Sequence, residues 1–107
     1  MTVEAVAYRK FAAETGARDP EIANAAHDKM HRAYKLLRES EAGRAAIFAL
    51  TTDPDPHVRC WSAAHSLVWQ PEHARAVLEK LVIDDGVCSF TARMTLREFD
   101  AGRLSFA

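Results

Sequence analysis

Glycine and proline are scarce in this sequence, four of each in 107 residues. None of the eight interrupts a periodic apolar stretch, so all are expected at helix ends or turns. Cysteine is scarcer still, with only Cys60 and Cys88. Two thiols 28 positions apart, without a CxxC pair, exclude a zinc-finger framework and read as small buried hydrophobes. No apolar run approaches ~18 residues, which excludes a helical membrane span. The opening MTVEAVAYRKF lacks the apolar block of a secretory signal, so a cytoplasmic protein with reduced thiols is expected. An excess of one charge is missing too. Lys and Arg number 14 against 15 Asp and Glu, and the balance holds in each half: eight against eight in 1–53, six against seven in 54–107. That removes the basic surplus of a general nucleic-acid or membrane-surface binder.

What the chain does have is apolar content. Hydrophobic residues make up 49%, enough for a packed core and against disorder. The stretches between turns are rich in Ala, Leu, Arg, Glu and Lys, all good helix formers. No stretch alternates with period two, so no strand is expected. Six helices are predicted in one all-α domain covering 1–107. The first covers 2–15, capped by Thr2, with Val3, Val6, Ala7 and Phe11 inward. The second opens at Asp19-Pro20 and runs to 39 on a stripe of Ile22, Ala26, Met30, Ala33 and Leu37. The third covers 41–51, with Ala46, Ile47 and Leu50 inward.

The fourth opens at Asp55-Pro56 and runs to 69. Apolar residues occupy most of its wheel, leaving Arg59, Ser62 and Ser66 as a narrow polar edge. A helix apolar nearly all round is sandwiched between neighbours, so this one is expected to be the centre of the core. The fifth covers 71–82, with Ala74, Val77, Leu78 and Leu81 on one face. The sixth follows Asp84-Asp85-Gly86 and runs to 100. Its face is Ala92, Leu96 and Phe99, with Val87 and Phe90 as opening anchors. The links are only a few residues long, which favours antiparallel helical hairpins.

The stretch LTTDPDPHVRCWSAAHSL, from Leu50 to Leu67, is the most informative. Asp53-Pro54 ends one helix, since a residue before proline avoids the helical region. Asp55 caps the next, Pro56 fills its first turn, and Val58, Ala64 and Leu67 pack inward. Arg59 is placed to reach the carboxylate of Asp53 or Asp55. This arrangement resembles a HEAT repeat. An echo follows 32 residues on, where Phe90, Leu96 and Phe99 match Val58, Ala64 and Leu67, with Asp85 ahead of them. The expected stack is compact and right-handed, with helix one as a cap, helices two–three and four–five as hairpins, and helix six as half a unit.

Nearly the whole chain also resembles a small bacterial domain-of-unknown-function family, DUF2019. The matching residues are Tyr8-Arg9-Lys10-Phe11, ANAAHDKMHRAYKLLR from Ala23, DPDPHVRCWSAAHSL, PEHARAVLEKL, and FTARMTLREF followed by Gly102-Arg103-Leu104. The resemblance implies a HEAT-like α-helical fold and no activity. By analogy with small HEAT-like proteins, it points to an immunity-type or regulatory role.

Candidate sites are few. His27 and His31 stand i, i+4 on helix two, a spacing that can hold a metal. Yet Asp28 points elsewhere, no third ligand is apparent, and HDKMH lacks the glutamate of a zincin. Asn24, His27, His31, Tyr34, Lys35 and Arg38 share an outward face, and Tyr and Arg are favoured at interfaces, so this strip is the expected partner surface. His65 falls in the apolar arc of helix four and reads as a buried histidine with one hydrogen bond. Trp61 and Trp69 are expected in the core. Arg93, Arg97 and Arg103 are expected to pair with Asp84, Glu98 or Asp100. There is no GxSxG, no Gly-rich phosphate loop, and no spacing of Cys60 with His57 or His65 that by itself makes a nucleophile. No catalytic residue, metal or cofactor is therefore expected. The expected function is a non-catalytic protein–protein interaction module whose partner is another protein or a second copy of the chain. The alternatives are a metal-binding or enzymatic helical protein using His27 and His31, or a weak nucleic-acid binder.

Overall fold

Local chemistry places the starts of five helices. The Thr2 hydroxyl accepts from the Ala5 amide at 3.1 Å, Asp19 from Glu21 at 2.9 Å, Ser40 from Gly43 at 2.9 Å, and Asp55 from His57 at 2.8 Å. Each satisfies an amide that has no intrahelical partner. Prolines 20, 56 and 71 occupy first helical positions, where the missing N–H costs nothing. The computed structural model describes residues 2–107. It contains α1 (Val3–Glu14), α2 (Pro20–Leu37), α3 (Glu41–Ala49), a 3₁₀ turn (Leu50–Thr52), α4 (Pro56–Ser66), α5 (Pro71–Asp84) and α6 (Ser89–Asp100). No strand occurs among the described residues. The all-α expectation is met, with six α-helices among the described residues.

α1 lies along α2, α4 along α5, and α5 along α6, while α4 also touches α1, α3 and α6. The radius of gyration is 12.7 Å, close to the ~13 Å of a closed domain of this length. Two clusters form the interior. Tyr8, Met30, Tyr34, Leu37, Ile47, Leu50 and Val58 build one. Cys60, Ala63, Leu67, Ala74, Leu78, Leu81, Cys88 and Ala92 build the other. α4 supplies Val58 to the first and Cys60 and Ala63 to the second, so it is the sandwiched helix its composition predicts. Ser62 and Ser66 nevertheless lie inside, not on a polar edge. Ser62 tolerates this because its hydroxyl donates to the Val58 carbonyl at 2.7 Å, one turn back.

Several inward assignments shift. Val3 is 82% exposed and Val6 also faces solvent, while Ala5, Tyr8 and Ala12 are buried. A wheel that scores only apolar residues misses a tyrosine whose hydroxyl finds a partner in the core. Ile22 is exposed, and the buried stripe of α2 begins at Ala26. α4 ends at Ser66, three residues early, in a turn over 67–69. The anchors of α6 are not Val87 and Phe90, both exposed, but Cys88 and Ala92. Asp85 enters the left-handed region at φ 50°, and the turn after it rotates Cys88 inward.

The Asp53 turn is braced by two arginines. Arg9 grips the carboxylate through Nε and Nη2 at 2.8 and 3.0 Å. Arg59 takes the backbone instead of a carboxylate, donating to the carbonyls of Asp53 and Pro54, each at 2.9 Å. Burial pushes the Asp53 carboxyl up, but the Arg9 hydrogen bond, the Asp55 amide and the charges of Arg9 and Arg59 together outweigh it and hold the group below its usual value.

Gly43 is the one glycine inside a helix, in the first turn of α3, and it is buried. A Cβ there would collide with the Leu37 carbonyl at the end of α2. Gly→Ala in a helix normally stabilises by about 0.5–1 kcal/mol. Gly43→Ala is expected to reverse the sign and destabilise by roughly 1–3 kcal/mol, because backbone must move. Urea denaturation checks this, and a midpoint at or above that of the parent would refute the close α2–α3 contact.

Candidate functional site: the α2 face and the thiol–imidazole cavity

The strip on α2 is split in two. Asn24, His27 and Lys35 are exposed, His31 and Arg38 are half-buried, and Tyr34 is only 4% exposed. The C-terminal segment lies over the second half. Arg38 Nη1 donates to the Phe106 carbonyl at 2.7 Å, and the Phe106 ring meets those of Tyr34 and His65 edge-on, with centroids 5.9 and 4.6 Å away. His31 lies close to the backbone of Ala107. Helical periodicity could not reveal this cover. The available signal was Leu104 and Phe106, two apolar residues separated by one in an otherwise open tail.

Beneath the tail, His65 is fully buried and stacks on Tyr34 with ring centroids 3.9 Å apart. Its Nδ1 shares a 2.6 Å hydrogen bond with the Tyr8 hydroxyl, the single bond expected of it. Burial, with positive charge at His31, His27 and Arg38 adding to it, pushes its pKa down to about 3. Burial likewise raises Tyr8 well above the ordinary tyrosine value. At neutral pH the pair is an uncharged phenol and an uncharged imidazole. Trp61 and Trp69 are half-buried against the first cluster. The Trp61 indole donates to the Thr15 hydroxyl at 3.2 Å.

The exposed half of the strip borders a surface cavity of about 260 Å³. Asn24 and His27 of α2 form one wall; His57, Cys60 and Trp61 of α4 and Cys88 at the head of α6 form the other. Cys88 Sγ lies 3.3 Å from His57 Nδ1. The neutral thiol donates to the ring, and a protonated ring donates to the thiolate. The Cys60 thiol neighbours Cys88 across the same cavity. That contact, together with burial, pushes Cys60 up; the same contact, working against burial, draws Cys88 below the usual thiol value. Both cysteines are free. The His57 ring rests on Gly16, where any Cβ would strike it. Reading Cys60 against His57 and His65 alone missed this group, because Cys88 comes from another helix.

His27 and His31 lie parallel with centroids 6.4 Å apart. Among the described residues no group of three or more His, Cys, Asp or Glu is arranged to hold a metal ion. Arg103 pairs with Glu98 at 2.9 Å, as expected. Asp100 is taken by Arg75 and Asp84 by Lys80, so Arg93 and Arg97 lose those partners and stay exposed. No described helix is long and apolar enough to cross a membrane. No family model, curated protein or solved structure matches the chain.

The His65 environment sets a pH dependence. Its unfolded value is near 6.5 and its folded value about 3. Between them the unfolded chain binds a proton that the folded chain refuses, so this stability is complete above about 6.5 and drains as pH falls. His31, lowered chiefly by burial and then by Lys35 and His27, acts with the same sign. Glu98, held low by its hydrogen bond to Arg103, adds loss only around and below 4.5. Chemical denaturation at pH 7 and pH 5 is expected to show the parent losing on the order of 1–2 kcal/mol more than His65→Gln across that interval. Equal losses would place the proton uptake elsewhere.

Proposed function

We propose that this chain is a non-catalytic protein-binding module, built as a HEAT-like right-handed stack and working in the cytoplasm in an immunity-type or regulatory role. One observation carries the reading. Val87 and Phe90 are 75% and 67% exposed, and Ile83 is 80% exposed, all in the segment that runs from the end of α5 through the turn into the first turn of α6. Large apolar side chains concentrated at one end of a small domain are typical of a docking surface. Val87 lines the same cavity as Asn24 and His27, so the uncovered half of the α2 face continues the patch. The contact surface is therefore moved from Tyr34 and Arg38, which the tail occupies, to Asn24, His27, Val87 and Phe90. A net charge of -1 favours a protein over a nucleic acid as partner. The sequence's resemblance to HEAT-like proteins supports the stacked fold of this reading and adds no activity.

The test is affinity capture from the native host with the parent, a Val87→Glu/Phe90→Glu variant and a Val3→Glu/Val6→Glu control. The expected result is one protein, or a second copy of this chain, held by the parent and the control and weakened by about 2 kcal/mol or more in the first variant. Circular dichroism verifies that all three are folded. Equal capture by the parent and the Val87/Phe90 variant would end this reading.

A further inference from the structure

The cavity between α2, α4 and α6 holds a group that protein binding does not use. Cys88 is the N-cap of α6, a helix of twelve residues, and no side chain caps that end. Its sulfur sits where the helix dipole and free amides favour negative charge. His57 approaches from α4 at 3.3 Å and can hold the thiol proton. The His57 backbone amide is tied to Asp55 at 2.8 Å, and its ring is seated on Gly16. Cys60, 1% exposed, lies in the same buried cluster as Cys88 and lines the same cavity. Two thiols and an imidazole from two helices thus converge on one opening.

We propose that Cys88 is an oxidation site for small hydroperoxides, with Cys60 as its resolving thiol and His57 as the residue that positions the reacting proton. The cavity is wide enough for a peroxide and opens beside the exposed Val87. In the first step Cys88 Sγ attacks one peroxide oxygen. The S–O bond forms as the O–O bond breaks, and water or an alcohol departs with the thiol proton. Sulfur is oxidised to a sulfenic acid and the peroxide is reduced. In the second step Cys60 Sγ attacks the Cys88 sulfur. The S–S bond forms, the S–O bond breaks, and the oxygen leaves as water with the Cys60 proton. Two thiols and one hydroperoxide become one disulfide, one alcohol or water, and one water. The site stands whether or not a protein docks at the cavity mouth.

The experiment uses the full reduced chain, hydrogen peroxide, dimedone as the sulfenic-acid trap, and mass spectrometry of the alkylated protein. The parent is expected to lose both thiols together, forming an intramolecular Cys60–Cys88 disulfide that dithiothreitol reverses. Cys60→Ser is expected to carry the dimedone adduct on Cys88. His57→Gln is expected to slow oxidation on the order of tenfold while remaining folded. The proposal is overturned if parent Cys88 reacts no faster than free cysteine in the same buffer. It is equally overturned if Cys88→Ser traps dimedone on Cys60 at the rate Cys60→Ser does on Cys88, or if the parent's disulfide forms between two chains. The parent's rate needs no variant, so a misfolded substitution does not blunt the test.

Discussion

Burial of α4 on both sides is the constraint on which the rest of the molecule rests. A helix with neighbours all round cannot send its polar side chains to water, and an unpaired polar atom inside costs about 1–3 kcal/mol. Four polar residues of α4 each have a specific solution, while the buried Ser66 hydroxyl and His65 Nε2 stay without a partner. Ser62 returns to its own backbone, His65 reaches Tyr8 on α1, Arg59 braces the preceding turn, and His57 meets Cys88 at the head of α6. These solutions also set how the other elements sit. α1 turns its tyrosine inward at the expense of two valines, and α6 begins where its cap, Cys88, can face the imidazole.

The C-terminal segment answers a related problem. The α2 face carries Tyr34 against the His65 ring, and a stacked pair left open on one edge would expose apolar area and wet a neutral histidine. Phe106 closes that edge, and Arg38 holds the segment by its backbone. The same face that resembles an interface by composition is thus satisfied from within along half its length. Only the end near Asn24 and His27 stays open, beside the cavity and the α5–α6 turn.

Much of the architecture is legible in the sequence. Asp55-Pro56 and Asp19-Pro20 each specify a cap and a first turn, and those helices start where these residues stand. The nearly all-round apolar wheel of α4 marks it as central, and Val58, Ala64 and Leu67 are buried there. His65 was readable as a one-bond buried histidine. Less legible is whatever depends on residues far apart in the chain. Val3 outranks Tyr8 on hydropathy scales that penalise the hydroxyl, and the position of His65 on another helix reverses that order. Cys88 and His57 are 31 positions apart, and no local spacing relates them. Phe106 belongs to no periodic element at all.

The two interior clusters share a consequence with the helix that joins them. Val58 belongs to one and Cys60, two residues along, to the other, so neither half has a wall of its own at this boundary. Loosening α4 would open both at once, and neither could persist as a half-molecule. The chain should melt as one cooperative unit, with the α4 amides among the slowest to exchange their hydrogens.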